Sequence, residues 1–265
     1  MHELTGQQIE VVRPLFAAPY MSLVFDAVAA GNSPGRLWVD DPACLKTALL
    51  WDRGMRYYFA GDESNSEVNA VLSQLISQET TVGESPFVVI YCDTEGWAEQ
   101  LGAMFPNRNF TQRQRRLYKL GQVEINGWQE RVPAGFSLVR IDEALLTSRV
   151  ANADRVVEEI SSMWGETARF YEKGFGYCML RGDEIVCWCT AEYISGPECG
   201  IGIETIEEYQ GQGLATVTAG AFVDYCLANS ISPHWDAWCS NLLSTKVAEK
   251  AGFEAVLEYA VYLGK

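Results

Sequence analysis

Two periodicities alternate along the chain. Leu23, Ala27 and Ala30 recur at helical spacing and predict helix within residues 7–30, until Gly31-Asn32-Ser33-Pro34-Gly35 stops it. Arg36 to Asp40, Leu45 to Trp51 and Met55 to Ala60 read as strands, with turns at Asp41-Pro42 and Asp52-Arg53-Gly54. Val68, Leu72, Leu75 and Ile76 share one face of a helix over 66–78. Phe87 to Tyr91 is a short apolar strand. Trp97, Leu101, Met104 and Phe105 lie on one helical stripe, and Arg115 to Leu120 reads as a closing strand.

Gly121, Asn126-Gly127, Pro133 and Gly135 crowd together, so residues 121–135 mark a boundary. It divides the chain into an N-terminal lobe, 1–125, and a C-terminal domain, 136–265. The second half repeats the outline of the first. It runs from a strand, Phe136 to Ile141, through mostly helical residues 141–164 to a hairpin of Tyr177 to Leu180 with Ile185 to Tyr193. A strand at Cys199 to Thr205 and a helix from Gly213 to Ala228 come next. They are followed by a strand at His234 to Cys239, a helix at Asn241 to Ala251 and a last strand at Ala255 to Leu263. The likeness is one of element order, not of residues. The expected class is α+β, with a mixed, mostly antiparallel sheet flanked by helices.

Composition narrows the function. In a chain of 265 residues, 48% hydrophobic content is enough to bury a core without staples. A net charge of −15 repels a phosphate backbone, which argues against nucleic acid and mildly favours a cationic substrate. The eight cysteines show no C-x-x-C spacing and sit mostly in strand-like runs such as Ile185-Val186-Cys187-Trp188-Cys189. They read as buried hydrophobes in a reducing compartment. With only His2 and His234 available, neither a histidine-based metal site nor a Ser/His/Asp triad is expected. The start, Met1-His2-Glu3-Leu4-Thr5, has no signal-peptide pattern, and no apolar run is long enough to span a bilayer. A cytoplasmic protein is expected, and a monomer and a homodimer both stay open.

The chemistry concentrates in Ile201-Gly202-Ile203-Glu204-Thr205 and the following Glu207-Glu208-Tyr209-Gln210-Gly211-Gln212-Gly213-Leu214-Ala215. Strand, two-glycine turn and helix start follow one another. The glycines let a ligand approach the main chain, and the helix adds unpaired N–H groups and the positive end of its dipole. Such a site suits a pyrophosphate. It has neither the Lys-Ser/Thr of a P-loop nor the full G-x-G-x-x-G spacing. Downstream, Asn241 is placed to cap the next helix, and Gly252-Phe253 to end it.

Gln210 to Ala215 resembles the coenzyme A signature Gln/Arg-x-x-Gly-x-Gly/Ala of the GNAT superfamily of N-acetyltransferases, and the Asn241 to Phe253 run is similar to that family too. The whole chain also resembles a GNAT branch that includes zwittermicin A self-resistance acetyltransferases, through Gly35 to Pro42 and Ile203-Glu204-Thr205. The resemblance implies a GNAT fold in two tandem lobes, of which the N-terminal one is degenerate. Its matching place, Cys92-Asp93-Thr94-Glu95-Gly96, has no glycine turn. It implies acetyl-CoA held by Ile203, Thr205, Gln210, Gly211, Gln212, Gly213, Leu214, Ala215, Thr216, Asn241 and Ser244, with no metal. The acceptor is expected to be a small-molecule amine, with no membrane or nucleic-acid partner. Glu204 is the first choice of general base, Glu192 the reserve. The family's helix tyrosine falls at Ala248, so Tyr259 or Tyr262 is the replacement acid. A catalytically silent acyl-CoA-binding or sensor protein is the alternative.

Overall fold

The computed structural model describes residues 1–52, 54–82, 87–121 and 127–265. After β1 (His2–Leu4), the opening helical stretch is two elements rather than one. Gly6–Phe16 winds as a 3-10 helix containing Pro14, and α1 (Pro19–Ala29) starts afresh at a proline. Proline lacks the N–H that an α-helix needs inside its ladder but fits the first helical position.

The first compact unit comprises Met1–Arg115 and Tyr259–Lys265. Its further elements are β2 (Arg36–Val39), β3 (Thr47–Trp51), β4 (Arg56–Gly61), α2 (Ser66–Val82), β5 (Val88–Cys92), α3 (Gly96–Met104) and the start of β6 (Phe110–Leu120). The pairs β1–β2, β2–β3 and β3–β4 are antiparallel, and β4–β5 is parallel. The last residues of the chain pair antiparallel with β5, Val261 opposite Tyr91. The core of this unit gathers Trp38, Phe59, Leu72, Ile76, Ile90 and the stripe Trp97, Leu101, Met104 and Phe105.

The second unit comprises Arg116–Glu258. It contains β7 (Ser137–Arg140), α4 (Glu143–Leu146), α5 (Ala153–Trp164), α6 (Thr167–Lys173), β8 (Gly176–Arg181), β9 (Glu184–Ser195), β10 (Glu198–Thr205), α7 (Leu214–Ala228), β11 (Ser232–Trp238), α8 (Leu242–Lys250) and the start of β12 (Phe253–Gly264). The pairs β7–β8, β8–β9 and β9–β10 are antiparallel, and β10–β11 is parallel. Helix α7 is buried on more than one face. Thr218, Ala219, Gly220 and Val223 are buried as well as Leu214, Val217 and Phe222. A helix apolar all round belongs inside. Helix α6 is an addition to the expected elements, too short and too polar to show a periodicity.

The order of elements repeats: strand, helices, three strands, helix, strand, helix, strand. So do the pairing directions. The expected break at 121–135 separates these halves in sequence. The compact units divide instead within β6 and β12, each of which ends in the unit of the other half. Residues 122–126 lie outside the described residues. The repeat also corrects the alignment of the lobes. The junction after β10 corresponds to the one after β4, residues 62–65, and not to Cys92–Gly96, which corresponds to the junction before α8. Among the described residues no helix is long and apolar enough to cross a membrane.

Candidate functional site

Strand β10 ends at Thr205, and the Ile206 N–H ties the exit to β9 by donating to the Val186 carbonyl at 2.9 Å. A 3-10 turn over Glu207–Tyr209 follows, and the Gln210 side-chain amide donates back to the Thr205 carbonyl at 3.1 Å. Gly211 and Gly213 then take φ of +75° and +81°. A Cβ at either would meet nothing within 4 Å, so both stand at open space. Only glycine adopts such angles at no cost. Gly213 is the N-cap of α7 and has no side chain to cap it. The first bonds of the ladder run from the Thr216 and Val217 amides to the Gly213 carbonyl. The amides of Leu214 and Ala215 precede that ladder, at the positive end of a 15-residue helix.

This turn forms one wall of a cleft of about 390 Å³. The end of β10 contributes Ile203, Glu204 and Thr205; the turn and α7 contribute Tyr209, Gln210, Gly211, Gly213, Leu214, Ala215 and Thr216. Helix α8 supplies Asn241, Leu243, Ser244, Lys246, Val247 and Lys250. Of the residues expected to hold cofactor, Gln212 alone does not line it. Its amide donates to the Glu208 carbonyl at 3.4 Å. Asn241 caps α8 as its type suggests, its Oδ1 accepting from the Ser244 N–H at 3.1 Å, and Ser244 Oγ accepts from Trp235 Nε1 at 3.0 Å. The cap leaves the Asn241 amide N–H₂ as the group to offer a ligand. The residues fit an acyl-CoA: the open positions at Gly211 and Gly213 are a cradle that side chains would fill, beside unpaired amides.

Strand alternation puts Ile201 and Ile203 on the α7 side, in the core with Phe222 and Trp235. Gly202 and Glu204 face the other way. A Cβ at Gly202 would meet Glu192 Oε1 at 2.5 Å, Glu159 Oε1 at 2.9 Å and Thr190 Oγ1 at 3.1 Å. Two carboxylates therefore converge where β10 has no side chain. Glu159, on α5, accepts from Trp188 Nε1 at 2.7 Å and from Thr190 Oγ1 at 2.9 Å. Burial raises its pKa, those two hydrogen bonds oppose the rise, and the Glu204 charge adds to it. Glu204 itself is half-exposed and ion-paired with Arg155, one turn before Glu159 on the same helix. The guanidinium also lies 5.6 Å from the centre of the Trp188 ring.

Glu192 therefore stands beside Gly202 but does not line the cleft. Tyr262 does not line it either. It belongs to the first unit, opposite Ile90 and buried in that core, where desolvation raises its pKa. Ala248 is wholly buried and does not line the cleft. Among the described residues no cluster of His, Cys, Asp or Glu is placed to hold a metal ion. Sequence reasoning missed Glu159. The signal was there: Val156, Ile160 and Trp164 form the buried stripe of α5, and position 159 borders it.

Fold and cleft together define a mixed α/β protein with an open cleft at a bare helix start. The chain belongs to the GNAT acetyltransferase family, whose sequence profile matches residues 13–262. Members of that family use acetyl-CoA. The chain is 26% identical to the uncharacterized N-acetyltransferase YdfB of Bacillus subtilis (strain 168), over 99% of its own length and 98% of that protein. Its fold is similar to a GCN5-related N-acetyltransferase-like protein from Streptococcus suis 89/1591, with a TM-score of 0.73 at 21% identity, covering 98% and 99% of the two chains. It is also similar to a tandem GNAT protein from the clavulanic acid biosynthesis pathway, with a TM-score of 0.59 at 13% identity over 97% and 94%.

Proposed function

We propose that this protein moves an acetyl group from acetyl-CoA to an amine of a small molecule, using the cleft between the β10–α7 turn and α8. The observation that carries the reading is the turn itself: two left-handed glycines, open space above both, and helix amides with no capping side chain. Acetyl-CoA supplies the activated acetyl group. The amides from Gly211 to Ala215 hold its diphosphate, and Asn241 holds the pantetheine arm. The main chain of Ile203 to Thr205 lies at the thioester end and polarises the carbonyl.

The acceptor approaches from the Gly202 side, where Glu159, Glu192 and Glu204 attract a cationic amine. An amine with pKa near ~10 must lose a proton before it attacks. Glu204 occupies the expected strand position, but its ion pair with Arg155 makes it an orienting group. Glu159 is the better proton acceptor, because its raised pKa brings it nearer the working pH. With Ala248 buried, thiolate departure proceeds without a helix tyrosine, as a thiol with pKa near ~8.5 allows. The Gly35 to Pro42 run supports the branch that includes zwittermicin A self-resistance enzymes, so aminated antibiotics belong among the acceptors tried.

The test pairs calorimetric binding of acetyl-CoA with thiol release across amines, amino acids and aminated antibiotics. Binding together with amine-dependent thiol release is expected. Binding with no release from any amine would favour the silent acyl-CoA sensor, a reading that the buried Ala248 supports. Absence of binding would end the cofactor assignment.

A further inference from the structure

The cleft holds more charge than the diphosphate cradle explains. On α8 the lining residues Leu243, Lys246, Val247 and Lys250 stand at spacings of three and four, so they share one helix face. Lys246 and Lys250 are the cations among the lining residues, in a chain of net charge −15 whose turn also carries Glu207 and Glu208. The lysines lie toward the C-terminal end of α8, on the order of 7 to 13 Å along its axis from Asn241 at 1.5 Å per residue. They are therefore remote from the pantetheine end. The diphosphate is already met by main-chain amides. Coenzyme A has one more anion, the 3′-phosphate of its ribose, which carries close to two negative charges near pH 7. Overall acidity repels it, so local cations decide whether it is tolerated or selected.

We propose that Lys246 and Lys250 form a phosphate-monoester subsite that selects the 3′-phosphorylated form of coenzyme A over 3′-dephospho-CoA. The subsite rests on the cofactor reading given above and adds a specificity to it. Both side chains project from an exposed helix face, and α8 draws its stability from the buried Thr245 and Ala248 instead. Methionine preserves the apolar stem and removes the charge.

The test is a cycle of two ligands and two proteins. Calorimetric affinities for CoA and for 3′-dephospho-CoA are measured with the wild type and with the double variant Lys246→Met/Lys250→Met, and thermal unfolding checks the fold. Both single variants serve as well should the double variant unfold. The wild type is expected to bind CoA at least about tenfold more tightly than the dephospho form, the factor of one charge-assisted contact. The double variant should bind both ligands alike, at the wild-type affinity for dephospho-CoA. The CoA preference should also shrink with added salt. The subsite is overturned by equal wild-type affinities, by a preference that survives in the double variant, or by equal weakening of both ligands. A wild type that binds neither ligand overturns the cofactor reading itself, a result distinct from the other three.

Discussion

The junctions after β4 and β10 occupy the same place in the repeated order of elements, yet they end in opposite ways. After β4, Asp62 Oδ1 accepts from the Ser64 amide at 2.9 Å and from its hydroxyl at 2.6 Å, contacts that lower the Asp62 pKa. Asn65 Oδ1 then accepts from the Glu67 and Val68 amides, each at 3.2 Å. The start of α2 is thus capped by its own side chain and surrounded by acidic residues. Its one glycine, Gly61 at φ +95°, allows close backbone approach, since a Cβ there would lie 1.9 Å from the Lys46 carbonyl oxygen. After β10 the cap is Gly213, and nothing stands above it. A capped helix start has satisfied its amides from within; a bare one keeps them for a ligand. One order of secondary structure therefore yields a closed junction and an open one, and a handful of residues decides which.

The largest effect should come from closing the open junction. Gly213→Trp places a bulky side chain in the cradle and forces φ +81° on a residue that resists it. Loss of measurable acetyl-CoA binding is expected, on the order of a hundredfold or more for an abolished anion site. Unchanged affinity in a folded variant would remove the turn from the site. Next in size is Glu159→Gln, which keeps an acceptor for Trp188 or Thr190 but cannot take a proton. It should lower kcat by about 10²–10⁴ while leaving acetyl-CoA affinity near that of the wild type, and flatten the acidic limb of the pH–rate profile. If Glu204→Gln produces that signature instead, the base is the strand residue. The first unit offers a control. Asp93, whose pKa is also raised by burial, accepts from the Gly61 amide at 2.8 Å and from Trp97 Nε1 at 3.1 Å. Asp93→Asn should cost stability and leave the chemical step unaffected.

Local order was legible because its signals are local. The strands, the glycine turn and the Asn241 cap could be named because each depends on neighbouring residues. The convergence of Glu159, Glu192 and Thr190 on Gly202 could not, because α5, β9 and β10 meet only through tertiary packing. The exchange of strand ends between the two units was invisible for the same reason. The lobe alignment went astray because Cys92 to Gly96 is also a strand-to-helix junction, whereas the full element order identifies residues 62–65 as the counterpart. The helical spacing was read from Leu23, Ala27 and Ala30, all within or next to α1, and did not reach Gly6–Phe16, where Pro14 lies inside a 3-10 helix.

Opening the closed junction should have a smaller effect, and on stability only. Asn65→Ala removes the acceptor of two helix amides, worth about 1 kcal/mol, and should lower Tm by about 2–4 °C with acetyl-CoA affinity unaltered. A fall in acetyl-CoA affinity would mean that the capped junction also serves a ligand.

The smallest effect separates the proposed proton acceptor from a structural carboxyl by its dependence on pH. The folded-state pKa of Glu159 is raised, so between the unfolded value near ~4.3 and the folded one the native protein binds more protons than the unfolded chain. Its contribution to stability is fullest below that unfolded value and declines as pH rises through the folded one. The Glu159→Gln variant has no carboxyl to ionise there and escapes that decline. Its Tm should therefore rise relative to wild type as pH increases from about 4 through the folded value, by on the order of 1 °C. A constant difference across that range would show that ionising Glu159 carries no cost in the fold. The raised pKa, and with it the reason for preferring Glu159 to Glu204 as the base, would then be lost. A burial-raised carboxyl beside the open Gly202 gap is what a proton acceptor there requires, whereas Asp93 of the first unit, raised in the same way, stands beside a capped junction.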